Sequence, residues 1–153
     1  MVKYKDMEEE AKKWASEYCE ALNNSSEYEE SAKGWGVGFE GSILFKMEAC
    51  GEVEDDINAF IDLKDGKCLG IKVLEPGEDP PREPGFVLYA PTLIWRKLAF
   101  REIDPVQSLM TKKLNLEGDM GQIMKFSKAA VLLAEATENT DRTILTKYDL
   151  GEE

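Results

Sequence analysis

Two runs of alternating apolar residues meet at Asp65-Gly66, and this feature constrains the fold more than any other. Apolar residues occupy every second position of 57–63 and again of 69–73. A tight turn between two such runs needs positive φ, which Asp tolerates and Gly adopts freely. The pattern therefore predicts an antiparallel hairpin whose two strands present one apolar face to a core.

Three shorter segments also have the composition of strands. In the first, Ile43, Phe45 and Met47 alternate with other positions, which is typical of a half-buried strand. The other two are an apolar run at 86–90 and the sequence Leu114-Asn115-Leu116-Glu117. Residues 76–85 contain four prolines and several acids, so we expect an exposed loop there.

Helical periodicity is clearest near the N-terminus, where residues 4–22 predict an amphipathic helix. Its apolar face carries residues at spacings of three and four: Met7, Ala11, Trp14, Tyr18 and Leu22. A second short helix is expected at 27–33. Cap signals predict two more, from Thr92 and from Asp104-Pro105.

A long helix is predicted from Met120 to about Thr137, with Asp119 at a cap-like position before it. This segment is apolar on most of its circumference, so it must be covered on more than one side. The last residues, 138–153, form either a tail or a final short strand at 143–148.

The order of these elements predicts an α+β fold with a mainly antiparallel sheet of about five strands. A chain of 153 residues is long enough for one domain with a core. We therefore expect a single domain over 1–153. Its core spans about 23–137, with the N-terminal helix at 4–22 and an uncertain tail at 138–153.

The chain contains no histidine, which excludes Ser-His-Asp and Cys-His catalysis and every histidine-based metal site. Its three cysteines, Cys19, Cys50 and Cys68, are widely spaced, without a CxxC pair. An odd count of unpaired cysteines predicts free thiols and a cytoplasmic location. We expect no catalytic residues, no metal and no cofactor, and hence no enzymatic activity.

The net charge of −12 makes this an acidic protein that repels phosphate backbones, so nucleic acid is not an expected partner. No apolar run is long enough to span a bilayer, which argues against integral membrane association. The oligomeric state stays unknown.

Other features have two interpretations. The glycines at 34–38 precede a strand, which favours a flexible loop over a nucleotide site. The acidic pairs Asp55-Asp56 and Glu29-Glu30 are read as solvated surface. The late methionines either fill the core or adapt to a ligand.

Several short motifs, taken together and in order, resemble the sterol carrier protein type-two family. They are 23–28 leading to Gly34-Trp35, Asp65-Gly66-Lys67, Leu93-Ile94-Trp95, Asp104-Pro105 with Leu109-Met110, and 113–119. The resemblance implies a five-stranded sheet and helices that enclose an apolar tunnel. It also implies non-enzymatic binding or transfer of an apolar or amphipathic molecule such as a fatty acid, acyl thioester or sterol-like lipid.

The ligand-binding residues expected on this basis lie in the helices that follow the fourth strand. They are Trp95, Leu98, Leu109, Met110, Met120, Ile123, Met124 and Ser127. An alternative is a protein-interaction or regulatory module that uses the same apolar groove for a partner.

Overall fold

Five strands form one sheet in the computed structural model of the protein, which describes residues 1–151. They are β1 (Ile43–Glu48), β2 (Ile57–Lys64), β3 (Lys67–Leu74), β4 (Phe86–Pro91) and β5 (Asn115–Glu117). The strand order is β3-β2-β1-β4-β5. Neighbours are antiparallel except β1 and β4, which run parallel. The predicted α+β fold with a mainly antiparallel five-stranded sheet is confirmed.

The hairpin of β2 and β3 turns at Asp65-Gly66, as the sequence predicts. Both residues have positive φ, 51° and 82° respectively, and Lys64 pairs with Lys67 across the turn. A Cβ atom on Gly66 would overlap the backbone oxygen of Glu29, so glycine is needed here for space as well as for conformation.

Within residues 1–151, seven helices and one short 3₁₀ segment pack with the sheet. The helices are α1 (Tyr4–Asn23), α2 (Ser26–Ser31), α3 (Thr92–Ala99), α4 (Pro105–Met110), α5 (Met120–Lys125), α6 (Ser127–Glu135) and α7 (Thr143–Thr146), and the 3₁₀ segment is Ala136–Asn139. The side chain of Ser25 caps α2 by accepting from the Tyr28 amide, and Asp104 caps α4 by accepting from the Gln107 amide. All five residues of the predicted apolar face of α1 are buried.

The prediction of a single helix over 120–137 is wrong, because the helix is interrupted at Phe126. This residue has φ −117° and ψ 36°, outside helical geometry, and its amide bonds to the Ile123 carbonyl to close α5. The Phe126 ring instead meets Trp35 edge-on at 5.3 Å between ring centroids. Tertiary packing of one aromatic side chain thus overrides the local helical preference of the segment.

Residues after the 3₁₀ segment fold back onto the protein. Of the two alternatives for this segment, the strand at 143–148 is wrong, since helix α7 occupies Thr143–Thr146. Ile144, Leu145 and Leu150 are buried, so this segment belongs to the same hydrophobic core as α1. Glu152 and Glu153, the end of the predicted tail, lie outside the described residues.

Cys19 and Cys68 form a disulfide, so the expectation of three free thiols is wrong for these two residues. The pairing follows from the packing of α1 against β3, which brings the two Cα atoms to 5.5 Å. The side-chain amide of Asn23 reinforces the junction, because it donates to the Cys68 carbonyl and accepts from the Cys68 amide, each at 2.9 Å. Cys50 is free and half-buried.

Candidate ligand cavity

A cavity of about 110 Å³ lies between the sheet and the helical layer. From the sheet it is lined by Ile43, Phe45, Met47, Ile57, Leu63 and Leu88. Because Ile43, Phe45 and Met47 are alternate residues of β1, the cavity extends along that strand over about 13 Å. Each of the seven helices contributes at least one residue to the wall, so the cavity lies at the centre of the fold.

The walls of the cavity are almost entirely apolar. Among residues 1–151, no charged side chain lines it. Several polar wall atoms are already bonded within the protein: the Tyr18 hydroxyl donates to the Leu133 carbonyl at 2.6 Å, and the Trp35 indole N–H donates to the Gly41 carbonyl at 2.8 Å. These groups keep their backbone partners, and the cavity is therefore suited to hydrocarbon rather than to a charged ligand.

The polar side-chain atoms of Trp95 and Thr137 are also hydrogen-bonded to backbone carbonyls. The Trp95 indole N–H donates to the carbonyls of Lys46 and Ala90, at 3.1 and 3.2 Å. The Thr137 hydroxyl lies within 2.9 Å of the Ala134 carbonyl oxygen. Both side chains therefore present carbon atoms to the cavity while their polar atoms are satisfied behind the wall.

Aromatic rings give the cavity much of its surface. The rings of Phe45 and Trp95 lie 4.9 Å apart, and Tyr18 packs on Phe45 at 6.3 Å between centroids. Rings in contact at these distances and tilted to one another form a stable, well-ordered wall. They fix the side of the cavity formed by β1, α1 and α3.

Burial also controls the protonation of the two tyrosines in the wall. Desolvation raises the pKa of Tyr18 and of Tyr28 well above the ordinary range of a phenol. Both groups therefore stay neutral and protonated at physiological pH. They contribute O–H groups, and no negative charge, to the interior.

The sequence-predicted ligand residues fall into two groups in the structure. Trp95, Leu98, Leu109 and Ile123 line the cavity. Met110, Met120, Met124 and Ser127 do not line it. Met110 is 70% exposed and Met120 is 36% exposed, so these two methionines contact solvent instead of the cavity. Ligand contact by any of the eight residues stays a prediction.

Important wall residues were absent from that prediction, among them Trp14 and Tyr18 of α1, Tyr28 of α2, and Trp35. The signal for the first two was present, because they lie on the apolar face of the amphipathic N-terminal helix. That face was interpreted as core, and periodicity alone does not distinguish a residue that fills a core from one that borders a cavity.

Within residues 1–151, no helix combines the length and the hydropathy needed to cross a membrane. No group of three or more Cys, Asp or Glu side chains in that range is arranged to hold a metal ion.

Known structures resemble this fold closely. The crystal structure of a sterol carrier protein 2 matches with a TM-score of 0.70 and 27% identity, over 83% of this chain and 95% of that protein. A conserved hypothetical protein from Thermus thermophilus, described as possibly a sterol carrier protein, matches with a TM-score of 0.69 and 28% identity, over 81% and 83%. Sterol carrier protein 2 from Yarrowia lipolytica, in its apo form, shares the fold with a TM-score of 0.51 and 16% identity, over 82% of this chain and 88% of that protein.

Sequence comparison leads to the same group. No curated protein sequence matches the chain. The model of the SCP-2 sterol transfer family, however, matches residues 17–131, well over half of the chain. That range includes the whole sheet and α2 to α5, together with parts of α1 and α6. The resemblance noted from the sequence motifs is thereby confirmed, and the chain belongs to the SCP-2 sterol transfer family.

Proposed function

We propose that this protein binds a lipid or a long-chain acyl compound in the central cavity and carries it without chemical change. The observation that supports this most strongly is the wall itself, which presents apolar side chains on every side and, among residues 1–151, no charged one. Family membership and the names of the related structures agree with lipid binding or transfer.

The energetics of an apolar wall suit a ligand with a long hydrocarbon part. Burial of apolar surface contributes about 25 cal/mol per Å², or about 0.8 kcal/mol per buried CH₂ group. An alkyl chain therefore gains affinity from length alone, with few directional contacts. A wall of this kind needs no specific sequence motif. It selects ligands by the length of their hydrocarbon part more than by their head group.

The same wall offers no chemical machinery. The two interior phenols are held protonated by burial, and the other polar wall groups named above are bonded to backbone carbonyls. Catalysis of hydrolysis or group transfer requires a nucleophile within hydrogen-bond reach of a base. These side chains do not form such a pair, and we therefore propose carriage rather than turnover.

The volume of the cavity implies that the walls separate when a long ligand enters. A cavity of about 110 Å³ compares with the roughly 150 Å³ of an engineered apolar cavity that binds benzene. The break at Phe126 divides the covering helices into two short pieces, α5 and α6, which can move with fewer backbone changes than one continuous helix. We propose that this pair moves outward on binding.

Native mass spectrometry of protein purified without detergent tests the proposal. We expect a fraction of the protein to carry an additional lipid mass, which organic extraction removes and which returns after incubation with a fatty acid or a fatty alcohol. Absence of any bound mass, both before and after that incubation, would contradict the proposal and favour a partner-binding module.

A pair of neighbouring substitutions on α6 supplies the control. Ala130 lines the cavity, whereas Val131, the next residue, does not. Ala130→Phe should fill the cavity and abolish the additional mass, while Val131→Phe should retain it. Equal binding by the two variants would place the ligand elsewhere.

A further inference from the structure

One hydroxyl of a residue in the cavity wall has no hydrogen-bond partner among residues 1–151. Tyr28 lines the cavity and is 2% exposed, yet its phenolic O–H forms no hydrogen bond with any residue from 1 to 151. Polar groups that are this deeply buried almost always have a partner. The Tyr18 hydroxyl, on the same wall, has its partner in the Leu133 carbonyl.

The hydroxyl oxygen of Tyr28 keeps some accessible surface. Among the described residues, only the Tyr4 hydroxyl is both fully enclosed and without a partner, so the Tyr28 hydroxyl is not sealed in. Because Tyr28 lines the cavity, we infer that this accessible surface faces the cavity and that a bound molecule reaches the hydroxyl. The Trp14 indole N–H also has no partner in that range, but its ring is stacked on Tyr18 at 5.0 Å, and Trp14 is more exposed than Tyr28.

We propose that Tyr28 is the polar anchor of the cavity, and that it donates a hydrogen bond to an uncharged oxygen of an amphipathic ligand, such as a hydroxyl, ketone or ester oxygen. This inference rests on the proposed function and narrows it to a class of ligand. The phenol remains protonated because burial raises its pKa, so the donor is present throughout the physiological pH range.

Because no charged side chain among residues 1–151 lines the cavity, we expect the ligand oxygen that accepts from Tyr28 to be uncharged. A carboxylate placed at Tyr28 would lose its hydration and receive one hydrogen bond, with no cation lining the described cavity to compensate it. A neutral oxygen loses much less hydration and gains the same donor. A fatty acid that enters this cavity should therefore keep its carboxylate outside or bind in its protonated form.

Three small ligands of one shape test the proposal: butylbenzene, phenylbutanol and phenylbutanoate. Binding is measured for the wild type and for Tyr28→Phe, which removes only the hydroxyl. We expect wild type to prefer phenylbutanol, and Tyr28→Phe to bind phenylbutanol roughly five-fold more weakly while its affinity for butylbenzene stays unchanged. Phenylbutanoate should bind weakly to both proteins at neutral pH and more tightly once it is protonated.

Tyr148→Phe serves as the control, because Tyr148 does not line the cavity and its hydroxyl donates to the Asp6 carbonyl. This variant should retain the wild-type preference for phenylbutanol over butylbenzene. If Tyr28→Phe binds phenylbutanol as tightly as the wild type, the anchor is wrong although carriage stands. If wild type binds none of the three ligands, the proposed function itself fails.

Discussion

At the scale of single residues, Arg82 shows how the Pro-rich loop is fastened to the face of the sheet opposite the cavity. Its guanidinium donates two hydrogen bonds to the Glu40 carboxylate, at 3.0 and 2.9 Å, and one to Asp62 at 2.8 Å. It also lies over the ring of Phe60, 5.2 Å from the centroid. The loop is exposed, as its composition predicts, but this one side chain gives it a defined position.

The hydrogen bonds from Arg82 lower the pKa of Glu40 from its ordinary value of 4.5 to about 2. Because the folded-state pKa is depressed, the stabilisation is present above about pH 4.5 and is lost as the pH falls toward 2. Arg82→Gln should return the Glu40 pKa toward 4.5, as followed by NMR of the side-chain carboxyl carbon. Lys72→Gln, which removes a separate exposed pair with Glu78, should leave Glu40 unaffected. A Glu40 pKa near 4.5 in the wild type would contradict this account.

At the scale of elements, the disulfide joins the C-terminal part of α1 to β3, an edge strand of the sheet. The two cysteines are separated by 49 residues, so the bond closes a long loop that includes α2 and the first two strands. Since α1 supplies Trp14 and Tyr18 to the cavity wall, the bond also holds one wall of the cavity against the sheet.

Loss of this bond should destabilise the protein by about 2–4 kcal/mol, because the unfolded chain regains the freedom of a long loop. Denaturant unfolding of Cys19→Ala/Cys68→Ala, compared with the oxidised wild type, measures the difference. Cys50→Ala should change the stability little, since Cys50 has no disulfide partner. If the double variant and the wild type unfold at the same denaturant concentration under oxidising conditions, the bond is either unformed or without effect.

The elements also show what the sequence can predict. Alternation at 57–63 and 69–73, with Asp65-Gly66 between them, was sufficient for the hairpin because the signal is local. The break at Phe126 was not predictable in this way, since it depends on contact with Trp35, ninety-one positions earlier in the chain. Pairing of Cys19 with Cys68 has the same origin, because no local pattern places α1 on β3.

At the scale of the whole molecule, the order of the local elements was sufficient to predict the fold class. It was not sufficient to predict the cavity. Helical spacing showed that Trp14 and Tyr18 share a face, but it did not show that this face borders open space. Met110 does not line the cavity, because it lies on the exposed side of a short helix. Motif resemblance supplied the expected ligand class, whereas the apolar cavity wall emerged only from the packed helices.

The central claim is that the cavity binds a ligand through burial of its hydrocarbon part. A series of straight-chain alcohols of increasing length, each titrated against the protein, measures this most directly. Affinity should rise by up to about 0.8 kcal/mol for each added CH₂ and then reach a plateau when the cavity is full. Ala130→Phe should abolish binding across the series, because its ring fills the same space. No binding at any length, or an affinity independent of length, would contradict the claim.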